Sequence, residues 1–246
     1  MAHQAEFRFY EELNDFLPPG RRKQTFPYPF QGTPSVKDAI EALGVPHTEV
    51  ELILVNGDSV GFDYRLKPGD RVAVYPLFES FDISPLVRLR EKPLREVRFV
   101  IDVNLGKLAR LLRLAGFDAL YRNDFTDRAI CRIAAKDHRT VLTRDRGLLC
   151  NKLITRGYFV RSAAPGEQFA EVIRRFDLSG QLAPFTRCSL CNGKVQPVPK
   201  ETVLDRLEPE TRRYYDEFFL CTGCGKIYWP GSHVERMRER LNRLLA

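Results

Sequence analysis

The chain opens with apolar residues at every second position. Over Ala5–Tyr10 the side chains of Ala5, Phe7 and Phe9 alternate with polar ones, the period of a half-buried strand. Pro18-Pro19-Gly20 signals a turn, and Thr25–Phe30 reads as the hairpin partner. Ser35 stands where an N-cap belongs, ahead of a helix over Val36–Leu43 that Gly44 stops. Glu51–Val55 is a strand followed by the tight-turn pair Asn56-Gly57, and the turn Leu66–Asp70 leads into a strand over Arg71–Tyr75. Several short strands around one helix predict a compact α+β unit over residues 1–80.

After a linker at 81–95, the rhythm changes. Val97–Ile101 is a continuous apolar run ending in Asp102, and Leu105–Ala115 puts Leu105, Leu108, Leu111, Leu112 and Ala115 on one helical face. Gly116 ends that helix. There follow a strand over Asp118–Tyr121, a helix over Asp127–Lys136, a strand over Val141–Thr143, a helix over Gly147–Arg156, a strand over Tyr158–Arg161 and a helix over Phe169–Phe176. Alternating strands and helices predict a parallel sheet covered on both faces, spanning 96–182. Residues 183–246 form a third unit, with cysteines in its first part and a basic helix over His233–Leu245.

Charge divides along the same boundary. Residues 1–80 hold 8 Lys/Arg against 12 Asp/Glu, and the remainder 31 against 20. A basic body suits a polyanionic partner such as RNA, or is a solvated basic surface. No apolar stretch reaches the roughly 20 residues of a membrane span, and Met1–Phe9 lacks the apolar centre of a secretory signal. A cytoplasmic protein is therefore expected. In that setting, two C-x-x-C pairs read as metal ligands before disulfides. Cys188, Cys191, Cys221 and Cys224, with 29 residues between the pairs, suit one tetrahedral Zn²⁺. Four thiolates leave no open position, so the site is structural. Between the pairs, Arg212 and Arg213 accompany Tyr214, Tyr215, Phe218 and Phe219; the arginines are RNA-binding candidates, and the aromatics suit either base stacking or the module's own core.

In an open parallel sheet, ligands bind beyond the carboxyl ends of the strands. Asp102, Asp127 and Asp145 all follow strands there, where together they suit Mg²⁺ or Mn²⁺. Singly, each also suits a cap or a turn. Lys107, Arg110 and Arg113 recur every three residues along the helix after Asp102, and Arg144 and Arg146 flank Asp145. Either they bind phosphate or they form a solvated face.

Phe99-Val100-Ile101-Asp102, Leu105–Arg113, Gly116-Phe117-Asp118 and Leu142–Arg146 resemble the Mut7-C ribonuclease domain, a branch of the PIN-like nucleases with a C-terminal zinc ribbon. Thr33–Leu43, Val50–Gly57 and Leu66–Tyr75 resemble a ubiquitin-like β-grasp domain of the sulfur-carrier type. The resemblance implies a PIN-like three-layer α/β/α domain between a β-grasp domain and a zinc ribbon. It also implies metal-dependent RNA cleavage with catalytic metal ligands Asp102, Asp127 and Asp145. On chemical grounds Lys107 and Arg144 are expected to position the phosphate, and cleavage is expected to be endonucleolytic. The chain departs from the PIN pattern in having no Asp or Glu between Asp145 and Ala164; Asp124 is the candidate fourth carboxylate. It departs from sulfur carriers in lacking a free Gly-Gly end, so the first unit reads as a docking module for a protein partner. The competing function is a non-catalytic RNA-binding adaptor with a degenerate nuclease core.

Overall fold

The computed structural model describes residues 3–76 and 97–245; the expected linker at 81–95 lies outside the described residues. The first unit is a mixed sheet of β1 (His3–Phe9), β2 (Phe26–Phe30), β3 (Leu52–Val55), β4 (Asp58–Ser59) and β5 (Arg71–Tyr75), in the order β2-β1-β5-β3-β4. β1 and β5 run parallel at its centre and the other pairs are antiparallel, the β-grasp arrangement. Helix α1 (Val36–Ala42) crosses one face. Its start is fixed by a capping box in which Ser35 accepts from the Asp38 N–H and the Asp38 carboxylate accepts from the Ser35 N–H. Phe7, Phe9, Ile40, Ile53, Val72 and Val74 are buried between sheet and helix.

The second unit is a four-stranded sheet of β6 (Arg98–Ile101), β7 (Asp118–Leu120), β8 (Thr140–Thr143) and β9 (Gly157–Phe159), all parallel in the order β7-β6-β8-β9. Phe99, Ile101, Leu142 and Tyr158 point to one face, where α2 (Gly106–Leu114) and α5 (Pro165–Arg175) cover them. Val100 and Val141 point to the other, against α3 (Asp127–Asp137) and α4 (Arg146–Leu149). The expected three layers are present.

Two helices differ from expectation, and the one expected over Phe169–Phe176 already starts at Pro165. The helix expected over Gly147–Arg156 stops at Leu149. Asn151 ends it locally, because its side-chain oxygen accepts the Leu153 N–H and its carbonyl accepts the Ile154 N–H, bonds that replace the helical ladder.

The third unit holds an antiparallel sheet of β10 (Val195–Val198), β11 (Phe218–Cys221) and β12 (Ile227–Tyr228), with α6 (Pro209–Tyr214) between its first two strands. The last helix, α7 (Ser232–Leu245), leaves this sheet and packs on α5, burying Leu241 in the core of the second unit.

A parallel sheet of four strands has two open edges, and unpaired edge amides need partners. Both edges are closed by the neighbouring units. At β7 the Ala119 N–H donates to Asn192 Oδ1 at 3.0 Å, from the cysteine-bearing unit. The carbonyls of Ala119 and Tyr121 accept from Arg113, whose guanidinium also donates to the carbonyls of Ser189 and Leu190. Arg113 is only 2% exposed. This corrects its expected role: it joins α2, the β7 edge and a cysteine loop, and does not belong to a solvent-facing phosphate stripe. Asp118 is the hub beneath, accepting from Arg139 at 2.6 Å and Asn192 at 2.8 Å, with Arg187 at 3.5 Å.

At β9 the Phe159 N–H donates to Glu49 of the β-grasp unit, a carboxylate with 1% exposure. Arg161 pairs with Glu49 at 3.2 Å and Asp15 at 3.1 Å, and Arg175 with Glu12 at 2.9 Å. His47 bridges Glu41 and the Ile154 carbonyl. Phe16 packs edge-on against Phe159, with ring centroids 5.5 Å apart. Burial drives the Glu49 carboxyl upward, and the charges of Arg161 and Arg175 oppose that shift. None of these edge-capping roles has a signature in the sequence.

Replacing Asn192 with Ala leaves the buried Ala119 N–H without an acceptor, at an expected loss of about 1–3 kcal/mol. Denaturant unfolding measures the loss, and hydrogen exchange at the Ala119 amide is expected to accelerate.

Candidate functional site

All four strands of the second sheet point their carboxyl ends to one side. The chain passes from β6 outward to β7, then returns across the sheet to β8 on the other flank, so the switch in direction falls between β6 and β8. That is the position where an open α/β sheet forms its binding crevice. Asp102 follows β6 there and Thr143 ends β8.

Asp102 is 5% exposed. It begins the 3-10 turn Val103–Leu105 but makes no side-chain cap bond to it. Its Oδ2 instead accepts from Thr143 Oγ1 at 2.7 Å, and that same hydroxyl oxygen accepts the Asp145 N–H at 2.9 Å. The hydroxyl has one proton, and the bond to Asp102 uses it. Thr143, fully buried, therefore ties the two aspartates together and fixes Asp102 as an acceptor. Among the described residues no cation pairs with Asp102. A buried carboxylate with a single neutral donor is an energetic liability that a cation relieves.

Asp145 is exposed and caps α4, accepting the Gly147 N–H at 2.7 Å through Oδ1. Asp127 is exposed at the first position of α3, where Thr126 and not Asp127 supplies the cap. Asp124 is exposed and held by both arms of Arg122, at 2.9 and 2.7 Å, which lowers its carboxyl below the ordinary range. Among the described residues, Asp102, Asp127 and Asp145 do not bring their oxygens within 4.8 Å of one another as a set. They share an edge of the sheet, and Asp102 and Asp145 share Thr143. Carboxylate oxygens are the donor type that suits Mg²⁺ or Mn²⁺, which retain several waters in such sites.

Gly106 admits the neighbouring loop. A Cβ there would lie 2.6 Å from the Tyr121 hydroxyl, which donates to the Val103 carbonyl at 3.1 Å and joins the β7 exit to the turn after Asp102. Lys107 and Arg110 are exposed on α2. Arg144 donates to the carbonyls of Arg161 and Ser162, and Arg146 lies over the rings of Phe16 and Phe159 at 5.0 and 5.5 Å. These two expected phosphate ligands hold the protein's own groups. Arg212 donates to the Leu204 carbonyl at 2.7 Å; Arg213 is exposed and stacks over Tyr214, which is itself exposed. Phe218 and Tyr215 belong to the third unit's core, as the structural alternative for those aromatics expected.

The four expected cysteines do converge. Cys188, Cys191, Cys221 and Cys224 place their sulfurs within 4.8 Å of one another, the nearest pairs at 3.3 and 3.6 Å. A tetrahedron with Zn–S bonds of about 2.3 Å has edges near 3.8 Å, so the donor set fits zinc. The Tyr228 hydroxyl donates to Cys188 Sγ at 3.0 Å, and the N–H groups of Gly193 and Gly223 point at Cys191 and Cys221. Burial alone would raise the Cys188 thiol, but Tyr228 and nearby backbone N–H groups outweigh it and bring it down to about 6. Burial pushes Cys191 up to about 12, and the neighbouring thiols add to the rise. Thiols this close ionise together only around a cation.

Elemental analysis of the purified chain is expected to find one zinc per molecule. Because Arg113 and Asn192 tie the cysteine loop to β7, stripping the metal is expected to accelerate exchange at Ala119 as well as to unfold the third unit. Unchanged exchange at Ala119 after verified metal loss would show that the cysteine loop does not support the sheet edge.

No helix of the described residues is long and apolar enough to cross a membrane. No curated protein and no solved structure gives a match. The family model of the Mut7-C RNAse domain matches residues 97–241, more than half of the chain, and the model of the Mut7-C ubiquitin domain matches residues 2–82. The chain thus belongs to the Mut7-C RNAse domain family, and carries that domain behind a Mut7-C ubiquitin domain.

Proposed function

We propose that the chain is a metal-dependent ribonuclease of PIN-like type whose reaction centre is the switch point between β6 and β8. The observation that carries this reading is Asp102: a buried carboxylate at the crevice, held by one hydroxyl and lacking a cationic partner among the described residues. Family membership supports ribonuclease chemistry in general.

A hard divalent cation, when bound, supplies Lewis-acid polarisation of the phosphate and an activated water. Asp102 and Asp145 hold it, and Asp127 completes the acidic edge from α3. Thr143 fixes the direction of Asp102 and leaves its second oxygen for a ligand. Lys107, exposed in the first turn of α2, offsets the charge that builds on the phosphate oxygens. The zinc holds the third unit and takes no part in the reaction, because its four thiolates leave no vacancy. Within this reading the β-grasp unit is a fixed part of the enzyme as well as a surface for a protein partner.

A second reading, an RNA-binding adaptor without cleavage, is favoured by the failure of the three carboxylates to close as a set. One experiment separates the two. Single-stranded RNA incubated with Mn²⁺ or Mg²⁺ is expected to be cleaved by the wild type, and at least a hundredfold more slowly by Asp102→Asn. Thr143→Val is expected to fall between them, because the aspartate remains but its orientation is lost. RNA binding without cleavage under either metal favours the adaptor. Equal residual cleavage in wild type and Asp102→Asn assigns the activity to a contaminant and removes the ribonuclease reading.

A further inference from the structure

The carboxyl edge of the sheet has two halves, one on each side of Asp102, and their cations differ in what they touch. On the β9 half every described arginine near the edge is engaged. Arg144 donates to two carbonyls of the chain just beyond β9. Arg146 is stacked on Phe16 and Phe159 and reaches the Phe16 carbonyl. Arg161 holds Glu49 and Asp15, and Arg175 holds Glu12. The β-grasp unit thus sets three carboxylates, those of Glu12, Asp15 and Glu49, against this half. A phosphate approaching it meets guanidinium groups already engaged with the protein's own carbonyls, rings and carboxylates, and the exposed carboxylate of Asp15.

Around Asp102, where α2 packs along β7 and α3 along β6 and β8, the cations are the reverse. Lys107 and Arg110 project from the first turns of α2, and Arg128 and Arg132 from the first turns of α3; all four are exposed. None makes a hydrogen bond or ion pair among the described residues. α2 and α3 lie on opposite faces of the sheet and both start at its carboxyl edge, so their cations flank the crevice from either side. Arg128 and Arg132 are four residues apart and therefore neighbours on one helical face, about 6 Å along its axis. Beyond β7, the cysteine loop pinned by Arg113 adds the exposed Leu190 side chain.

We infer that a single RNA strand crosses this edge at Asp102, between Lys107 and Arg110 on one face of the sheet and Arg128 and Arg132 on the other, and leaves it on the side of β7, where α2 packs. The β-grasp unit closes the β9 half with Glu12, Asp15 and Phe16. This rests on the ribonuclease reading and adds to it a direction, together with two contacts, Arg128 and Arg132, that the sequence pattern did not single out. Electrostatics gives the direction: the polyanion is drawn to the four cations that have no partner among the described residues, while those of the opposite half are engaged by the protein itself.

The test uses the full-length chain carrying Asp102→Asn, to suppress cleavage, and a fluorescently labelled single-stranded RNA titrated at several salt concentrations. Adding Arg128→Glu with Arg132→Glu is expected to weaken binding at least tenfold and to flatten its dependence on log salt by about 1.4, for two phosphates at about 0.7 each. Lys107→Glu with Arg110→Glu is expected to act in the same direction. Arg146→Gln, on the closed half, is expected to stay within twofold. Circular dichroism of each variant checks that exposed helical substitutions leave the fold intact, and Arg128→Gln with Arg132→Gln repeats the measurement if the Glu pair unfolds. Strong loss from Arg146→Gln with no loss from the α3 pair would overturn the proposed path. Failure of the ribonuclease reading looks different: wild type then cleaves no RNA under any divalent metal, whatever the pattern of binding.

Discussion

Edge closure is the constraint on which this molecule depends. Four parallel strands make a sheet too narrow to bury its outer backbone groups, and each outer strand here is finished by a buried polar side chain from another unit. Asn192 and the fan of bonds from Arg113 finish β7; Glu49 finishes β9. These bonds also fix what is near the crevice. The cysteine loop stands beside β7 because its carbonyls share Arg113 with the strand, and Phe16 stands beside Arg146 because Glu49 and Arg161 draw the β-grasp unit against β9.

The crevice itself is organised by one hydroxyl. Thr143 contributes a donor to Asp102 and an acceptor to the Asp145 amide, so the ends of β6 and β8 are coupled at their side chains as well as through their ladder. Asp145 has a second duty as the cap of α4. The alternatives of cap and ligand that the sequence leaves open for the three aspartates thus resolve unequally. Asp145 caps a helix, Asp127 sits one position inside a cap made by Thr126, and Asp102 caps nothing.

Much of the architecture was legible because it rests on local signals. Periodicity and turn chemistry gave the β-grasp strands, the Ser35 cap, the Asn56-Gly57 turn and the strand–helix alternation, and spacing gave the cysteine cluster. What was not legible depends on contacts far apart in the chain. Arg113 fits a three-residue cationic stripe with Lys107 and Arg110, yet only the tertiary structure shows that its turn of α2 faces the β7 edge while theirs face outward. The overlong helix after Asp145 failed for a local reason, the competing bonds of Asn151, which hydrophobic periodicity does not register. Glu49 carries no signature, since an acidic residue after a short turn ordinarily faces water.

The burial of Glu49 has a consequence for how the chain assembles. Its partners Phe159 and Arg161 lie 110 and 112 residues further along. During synthesis from the N-terminus the β-grasp unit is complete long before they emerge, and until then the carboxylate remains hydrated. Its transfer out of water therefore belongs to the last stage of folding, when two largely finished bodies meet and the entropy of a long loop is lost in one step. The junction thus depends on the second unit being formed, because the edge amide and the guanidinium that satisfy Glu49 both come from β9 and the chain just beyond it.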